Sequence, residues 1–131
     1  MNKRKIVFVI PCYNEQETIG ELYRRLHSLS ARLAQYDFGF LFVNDGSCDT
    51  TPALLEDLAD MDNRVMVLHL ARNLGHQMAL TAGLDYAVGD VIITMDADLQ
   101  DPPELAEAFI QKIGEGYDVV HAQRLQRAGE T

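Results

Sequence analysis

The stretch KIVFVIPCYNEQETIGELYRRLHSLSARL, residues 5–33, joins an apolar run to an amphipathic one. Residues 5–10 contain a short apolar run, Ile6 to Ile10, which is typical of a buried strand. The later apolar side chains recur at helical spacing, which predicts a helix with one buried face. Asn14 followed by Glu17 predicts a capping box at the start of that helix. The predicted buried face consists of Ile19, Leu22, Tyr23, Leu26, Leu29 and Leu33.

The same alternation continues along the chain. Asp101, with two prolines and Glu104 behind it, predicts a capped start for a fourth helix. The resulting order, β-α-β-α-β-α-β-α-β, predicts one α/β domain over residues 1–131, with a mainly parallel sheet, right-handed crossovers and helices on both faces. Four further strands are predicted at residues 38–43, 65–70, 91–95 and 118–122.

The charge balance excludes one class of partner. The chain has 11 basic and 20 acidic residues, a formal net charge of -9, and so lacks the basic surface expected of a nucleic-acid-binding protein. An anionic ligand would then require a metal ion or a local group of arginines. Cys12 and Cys48 lack metal-site spacing, which favours two reduced thiols in a cytoplasmic protein. The first apolar run is too short for a signal peptide, and no run approaches the ~20 residues of a membrane span, so this chain is expected to be soluble.

Polar side chains follow every predicted strand. Ligands of open parallel sheets bind beyond the carboxyl ends of the strands. The presence of polar residues after every strand, all at this one edge, therefore favours a ligand site over incidental caps and turns. The residues in question are Pro11, Cys12, Tyr13, Asn14 and Glu15; Asn44, Asp45, Gly46 and Ser47; Arg72 and Asn73; Asp96, Asp98 and Gln100; and Gln123 and Arg124.

The segment MDADLQ, residues 95–100, indicates how phosphates would be held. Neither a P-loop nor a G-x-G-x-x-G fingerprint is present, and carboxylates repel phosphates unless a divalent cation lies between them. In an extended segment Asp96, Asp98 and Gln100 would point the same way, with the intervening side chains inward. This spacing predicts a Mg²⁺ or Mn²⁺ site, although two acids at a strand end can also form a turn and a cap.

Single residues leave alternatives open. Asp45 either accepts hydrogen bonds from a base or ribose or forms an Asx-turn. Tyr13 either stacks on a ligand or shields the site. Glu15 is expected in the first helical turn, where an acid is favourable anyway. His76, near the end of the third predicted strand, is the only histidine considered as a candidate site residue, and Arg124 either stabilises a diphosphate or is simply solvated.

Five segments resemble the family 2 glycosyltransferases in order and spacing, and most closely the branch that uses polyprenyl phosphates. The resemblance implies a GT-A fold, C-terminally truncated in this chain, that binds a UDP- or GDP-sugar with Mg²⁺ or Mn²⁺. Asp96, Asp98 and Arg124 would be catalytic, with Asp98 and Gln100 at the metal. The nucleotide-binding residues would be Pro11, Tyr13, Asn14, Glu15, Asp45, Asn73 and Asp96. The segments are VIPCYNEQETI, FVNDGSCDTT, ARNLGHQMALTAGLDYAVGD, ITMDADLQDPPEL and YDVVHAQR.

The resemblance also implies a reaction. It is inverting transfer of a hexose to dolichyl or undecaprenyl phosphate at the cytoplasmic face of the cell membrane. A phosphate acceptor is already anionic and needs no strong base, so the metal and an arginine would act on the departing diphosphate. Family members continue well beyond residue 131, so this chain alone is expected to bind nucleotide and transfer little sugar.

Three other functions remain open on the sequence. The first is a nucleotide-sugar-binding module without turnover. The second is aspartate-based phosphoryl transfer, as in receiver domains, although the D-x-D follows the fourth strand and no lysine ends the fifth. The third is a purely structural α/β domain, for which the polar sheet edge would be incidental.

Overall fold

The fold is a four-stranded parallel sheet with helices on both faces. The computed structural model describes residues 3–114. Along the chain the elements are β1 (Lys5–Cys12), α1 (Ile19–Arg32), β2 (Asp37–Asn44), α2 (Thr51–Met61), β3 (Val65–His69), α3 (His76–Tyr86), β4 (Val91–Thr94) and α4 (Leu105–Gly114). The strand order is β3-β2-β1-β4, and every pairing is parallel. The predicted α/β class and four of the predicted strands are confirmed. The fifth predicted strand, at 118–122, lies outside the described residues.

Both faces of the sheet are buried, because side chains alternate along strands that are apolar at nearly every position. Ile6, Phe8 and Ile10 of β1 belong to one apolar cluster, to which α1, α2 and α4 contribute. Val7 and Val9 belong to a second cluster that includes Ala79 of α3. The chain moves outward from β1 to β3 and then returns to β4. With crossovers of one hand, that return places α3 on the opposite face from α1 and α2.

The helix periodicity is confirmed, but α1 and α4 begin later in the sequence than predicted. The apolar face of α1 is buried as expected. However, α1 begins at Ile19 with Thr18 before it, so Asn14 and Glu17 form no capping box, and Glu15 lies before the helix. α4 begins at Leu105, four residues after Asp101, and follows a turn in which the Leu105 N–H donates to the Pro102 carbonyl.

The sheet opens between β1 and β4. The register pairs β1 with β2 as far as Cys12 and Asn44, but pairs β1 with β4 only from Ile6–Val91 to Val9–Thr94. The strand order reverses at this point, as β1 lies between the outgoing strands and the returning one. In open α/β sheets such a switch point leaves a crevice beyond the strand ends. Among residues 3–114, no helix is long and apolar enough to span a membrane.

The small residues of α3 permit close packing on the sheet. A Cβ atom at Gly83 would lie 2.5 Å from Val9 Cγ1 and 2.8 Å from Val43 Cγ2, both in the core. Real Cβ atoms do not approach other atoms so closely. The short distance between α3 and the sheet therefore excludes a side chain at position 83.

We therefore predict that Gly83→Ala lowers the free energy of unfolding by about 1–2 kcal/mol, because overpacking outweighs the gain in helix propensity. The matched control is Gly20→Ala, which lies in α1 with nothing within 4 Å of the added Cβ. It should instead raise stability by up to about 1 kcal/mol. Urea denaturation of both variants measures the difference, and equal effects would show that α3 is not tightly packed on the sheet.

Candidate functional site at the carboxyl ends of the strands

One pocket of about 310 Å³ lies at the carboxyl edge of the sheet. It gathers residues that follow all four described strands, as the strand-end pattern predicted. Its volume is within the range of small-molecule sites. The residues that line it are Pro11, Cys12, Tyr13, Glu15, Asp45, Asn73, Gly75, His76, Asp96, Ala97 and Asp98.

Hydrogen bonds join the loop after β1 to the loop after β2. Asn14 donates its backbone N–H to Ser47 Oγ at 3.0 Å, and its Oδ1 accepts from the Cys48 N–H at 2.8 Å. Gln16 Oε1 accepts from both the N–H and the hydroxyl of Thr50. Asn14 adopts φ 53, a left-handed conformation that Asn tolerates better than most residues. These residues therefore hold two pocket-lining loops in one arrangement.

Asp45 holds the loop that follows β3. Its side chain is buried, with Oδ1 accepting from the Leu74 N–H at 2.8 Å and Oδ2 from the Gly75 N–H at 3.1 Å. An Asx-turn was one of the two alternatives for Asp45, and its carboxylate instead contacts a loop about 30 residues away. Gly46 supports them with φ 69, and a Cβ there would lie 2.2 Å from the Asn73 nitrogen. Only glycine allows this backbone approach.

The segment after β4 is not extended, so the geometric argument from alternate residues is wrong. The chain turns after Asp96, and Leu99 has a left-handed φ of 65. Asp98 Oδ1 accepts from the Gln100 N–H at 3.1 Å, which closes a local turn. The expected inward side chains are found, since Ala97 is buried and Leu99 packs on the core. The Ala97 carbonyl also accepts from the Thr18 hydroxyl at 2.7 Å, which ties this turn to the start of α1.

Acidic side chains from three loops influence one another in the pocket. Burial raises the pKa of Glu15, and the charges of Asp98, Asp49 and Asp96 raise it further, while the Thr18 hydroxyl at Oε2 lowers it. A raised pKa means that the site resists further negative charge. A cation or a proton is therefore favoured among these groups.

The donor set fits a hard divalent cation only in part. Asp96 and Asp98 supply the oxygen ligands that Mg²⁺ and Mn²⁺ take in proteins, and such ions commonly use one or two carboxylates plus substrate oxygens. Within residues 3–114, no group of three or more His, Cys, Asp or Glu side chains is placed to hold a metal by itself. A cation here would thus depend on ligands supplied by the substrate.

Most predicted site residues meet in the pocket. Pro11, Tyr13, Glu15, Asp45, Asn73, Asp96 and Asp98 line it. Asn14 and Gln100 are not among the lining residues, because Asn14 is engaged with the β2 loop and Gln100 follows the turn at Asp98. Arg124 lies outside the described residues.

Two lining residues had no strong signal in the sequence. His76 begins α3, and its Nε2 lies 3.5 Å from Asp96 Oδ1. Its position shortly after the third strand was the only hint of this contact. Cys12 ends β1 and donates its thiol to the Ile10 carbonyl, and burial raises its pKa, so it lines the pocket as an inert neutral group.

Comparisons with known proteins give one consistent family. The description Glycosyl transferase family 2 matches residues 7–131. The uncharacterized glycosyltransferase YkcC of Bacillus subtilis is 48% identical over 123 residues, which are 94% of this chain and 38% of that protein. The undecaprenyl-phosphate 4-deoxy-4-formamido-L-arabinose transferase of Klebsiella pneumoniae is 41% identical over 125 residues, which are 95% of this chain and 38% of that protein. This chain thus spans less than half the length of these relatives.

A solved structure supports the fold. The mannosyltransferase PcManGT of Pyrobaculum calidifontis, in complex with GDP-Man and Mn²⁺, superposes with a TM-score of 0.67 at 20% sequence identity. The match covers 83% of this chain and 32% of the mannosyltransferase. The GT-A architecture implied by the sequence is confirmed.

The raised pKa of Glu15 yields a prediction on stability. A carboxyl whose folded pKa lies above its unfolded value favours folding below the unfolded pKa, and this contribution is lost as pH rises through the folded value. Glu15→Gln should therefore raise the free energy of unfolding at neutral pH, by at most about 1 kcal/mol after solvent screening. The gain should shrink on acidification.

Urea denaturation across a pH series without divalent ions measures this effect. Glu17→Gln, an exposed position on the same loop, is the control for loss of a negative charge alone. If Glu15→Gln raised the free energy of unfolding by the same amount at every pH, the raised pKa of Glu15 in the folded protein would be contradicted.

Proposed function

Because the chain belongs to glycosyltransferase family 2, we propose that its pocket binds the nucleotide-sugar donor of a hexosyl transfer to a polyprenyl phosphate. The observation that carries the proposal is the pocket itself, in which Asp96 and Asp98 share one crevice with Tyr13 and Asp45. The name of the Klebsiella relative, undecaprenyl-phosphate 4-deoxy-4-formamido-L-arabinose transferase, supports the acceptor class. The GDP-Man and Mn²⁺ bound by the Pyrobaculum enzyme support the donor class and a divalent ion.

The two ends of the donor would meet different residues. Tyr13, Asn73 and Asp45, with Pro11 beside them, are proposed to bind the nucleoside. Asp45 already accepts two backbone N–H groups, but each carboxylate oxygen has a further lone pair for a ribose hydroxyl or a base N–H. Glu15 is proposed to line the nucleotide site as well, where burial and the charges of Asp98, Asp49 and Asp96 raise its pKa.

The diphosphate would lie towards the loop after β4. Asp96 and Asp98 are proposed to hold Mg²⁺ or Mn²⁺, with Gln100, exposed beside Asp98, as a further ligand and Arg124 near the phosphates. When bound, the ion would neutralise charge on the departing nucleoside diphosphate. His76, 3.5 Å from Asp96, is placed to orient that carboxylate.

The proposed reaction needs no strong general base. A phosphate oxygen of the lipid attacks the anomeric carbon, and the bond from that carbon to the donor's phosphate oxygen breaks with inversion. The products are a polyprenyl-phosphate sugar and a nucleoside diphosphate. Because the acceptor oxygen is already anionic, the protein's task is positioning and charge stabilisation. A lipid acceptor would place the whole protein's reaction at the cytoplasmic face of the membrane.

The family match removes the receiver-domain alternative, because the chain aligns with glycosyltransferases over residues 7–131. A nucleotide-sugar-binding module without turnover remains the competing function. The two functions differ in whether the sugar is transferred to an acceptor, and both require binding of the nucleotide-sugar donor.

We predict that binding of UDP or GDP depends on a divalent ion and on Asp98. Asp98→Asn should weaken metal-dependent affinity by about 1.5–3 kcal/mol, the scale of a charge-assisted contact. Calorimetric titration with each diphosphate, with and without Mn²⁺, measures it. Asp57→Asn on the exposed face of α2 is the matched control and should change little.

Titration with free uridine or guanosine separates the two ends of the site. Asp45→Ala should weaken nucleoside and diphosphate alike, because it removes a pocket acceptor and releases the 74–75 loop. Asp98→Asn should leave nucleoside binding intact. Equal losses of both ligands in both variants would refute the proposed division.

A further prediction concerns transfer. Catalysis requires the acceptor oxygen ~3–3.5 Å from the anomeric carbon, and positioning of that kind is worth many orders of magnitude in rate. This chain matches 38% of the Klebsiella relative, so the 131 residues alone should bind nucleotide yet transfer little sugar. The assay uses radiolabelled UDP-glucose and GDP-mannose with short polyprenyl phosphates and Mn²⁺. Robust multiple turnover would show that these residues suffice for acceptor positioning.

A further inference from the structure

A chain of hydrogen bonds connects α2 to the loop after β2, outside the pocket lining. Glu56 Oε2, on the exposed side of α2, lies 2.7 Å from His69 Nε2 at the end of β3. His69 Nδ1 lies 3.0 Å from Asn44 Nδ2 at the end of β2. Asn44 Oδ1 accepts from the Ser47 N–H at 3.0 Å. We call this chain, Glu56–His69–Asn44–Ser47, the relay.

Each member of the relay has a single compatible role. The Ser47 N–H is a donor, so the oxygen of the Asn44 amide must face it and the NH₂ group must face His69. His69 Nδ1 must then be an unprotonated acceptor, which places the proton of the neutral ring on Nε2. Nε2–H in turn donates to the Glu56 carboxylate. Glu56 therefore selects the tautomer that keeps the Asn44 amide in its observed orientation.

The relay ends at residues that shape the pocket. Ser47 Oγ accepts from the Asn14 N–H, and the next residue, Cys48, donates its N–H to Asn14 Oδ1. Asn14 lies between Tyr13 and Glu15, both of which line the pocket. Its left-handed φ of 53 is a conformation that persists only where neighbouring contacts hold it.

We propose that His69 is a positioning residue, which acts through Asn44 to fix the loop after β2 and, with it, the Tyr13–Glu15 side of the pocket. The consequence for nucleotide affinity rests on the proposed function. Asn44 is buried, so its amide cannot exchange a lost partner for water at low cost. Without an acceptor at Nδ1, the Asn44 NH₂ group would lose its partner inside the protein, and the amide would be held less firmly. Its oxygen would then fix the Ser47 N–H, and with it the loop after β2, less firmly.

Two variants of His69 separate this role from general packing. In His69→Asn the amide oxygen lies near the former Nδ1 and can accept from Asn44. In His69→Gln the longer side chain places its amide near the former Nε2, within reach of Glu56 only. Both variants replace the ring with a neutral amide and differ by one methylene, so thermal unfolding should be similar for the two.

The measurements are hydrogen exchange at the Ser47 and Cys48 amides without nucleotide, and the Kd for UDP and GDP with Mn²⁺. His69→Gln should show exchange and Kd raised roughly 3- to 10-fold, the effect of one lost hydrogen bond. His69→Asn should stay within about twofold of the wild type. In the wild type, ¹⁵N shifts of the His69 ring should report a proton on Nε2 and none on Nδ1.

Each contrary outcome counts against the proposal. Equal exchange and equal affinity in the two variants, or a ring proton on Nδ1, would overturn the relay. A contrast in exchange with unchanged affinity would overturn the positioning role. If the wild type binds neither nucleotide, the proposed function fails, and the contrast in exchange then decides the relay alone.

Discussion

The site depends on the early separation of β4 from β1. β2 accompanies β1 to Cys12, whereas β4 leaves it at Val9, so the sheet is open on one side just where four loops begin. Helices pack on both apolar faces of the sheet, so polar side chains converge at the strand ends. The pocket is the space that this separation leaves, and Asp96 and Asp98 reach it because β4 has already turned away.

The parts that were predictable from sequence are those set by periodicity. The buried face of α1, the four apolar strands and the meeting of Tyr13, Asp45 and Asp98 at one edge all follow from the alternation of strand and helix. The loops were not predictable in the same way, because their conformations depend on partners far away in the chain. Asn14 looked like a helix cap but bonds to Cys48, and Asp45 looked like a turn former but holds residues 74 and 75. Local propensity cannot anticipate such contacts.

The conformation of the D-x-D segment, residues 96–98, was likewise not predictable from the sequence. Its carboxylates reach the pocket as expected, but by a turn with a left-handed Leu99 instead of an extended strand. The spacing rule predicted that Asp96 and Asp98 would lie at this edge, but its geometric reason is wrong, and Gln100 is not among the residues that line the pocket. In the proposed site, a cation between the carboxylates and the diphosphate would perform the task of a glycine-rich phosphate loop.

The strand order has a consequence for how the chain assembles during synthesis. Of the four described strands β1 is made before the others and lies in the interior of the sheet, yet β4, the partner for its second edge, is made after β2 and β3. The contact between the Lys5 N–H and the Asp90 carboxylate spans 85 positions. Until β4 emerges, the nascent protein carries an apolar strand with one row of backbone donors and acceptors open to any other extended chain. β1 is thus a segment that needs protection on the ribosome until β4 has been made.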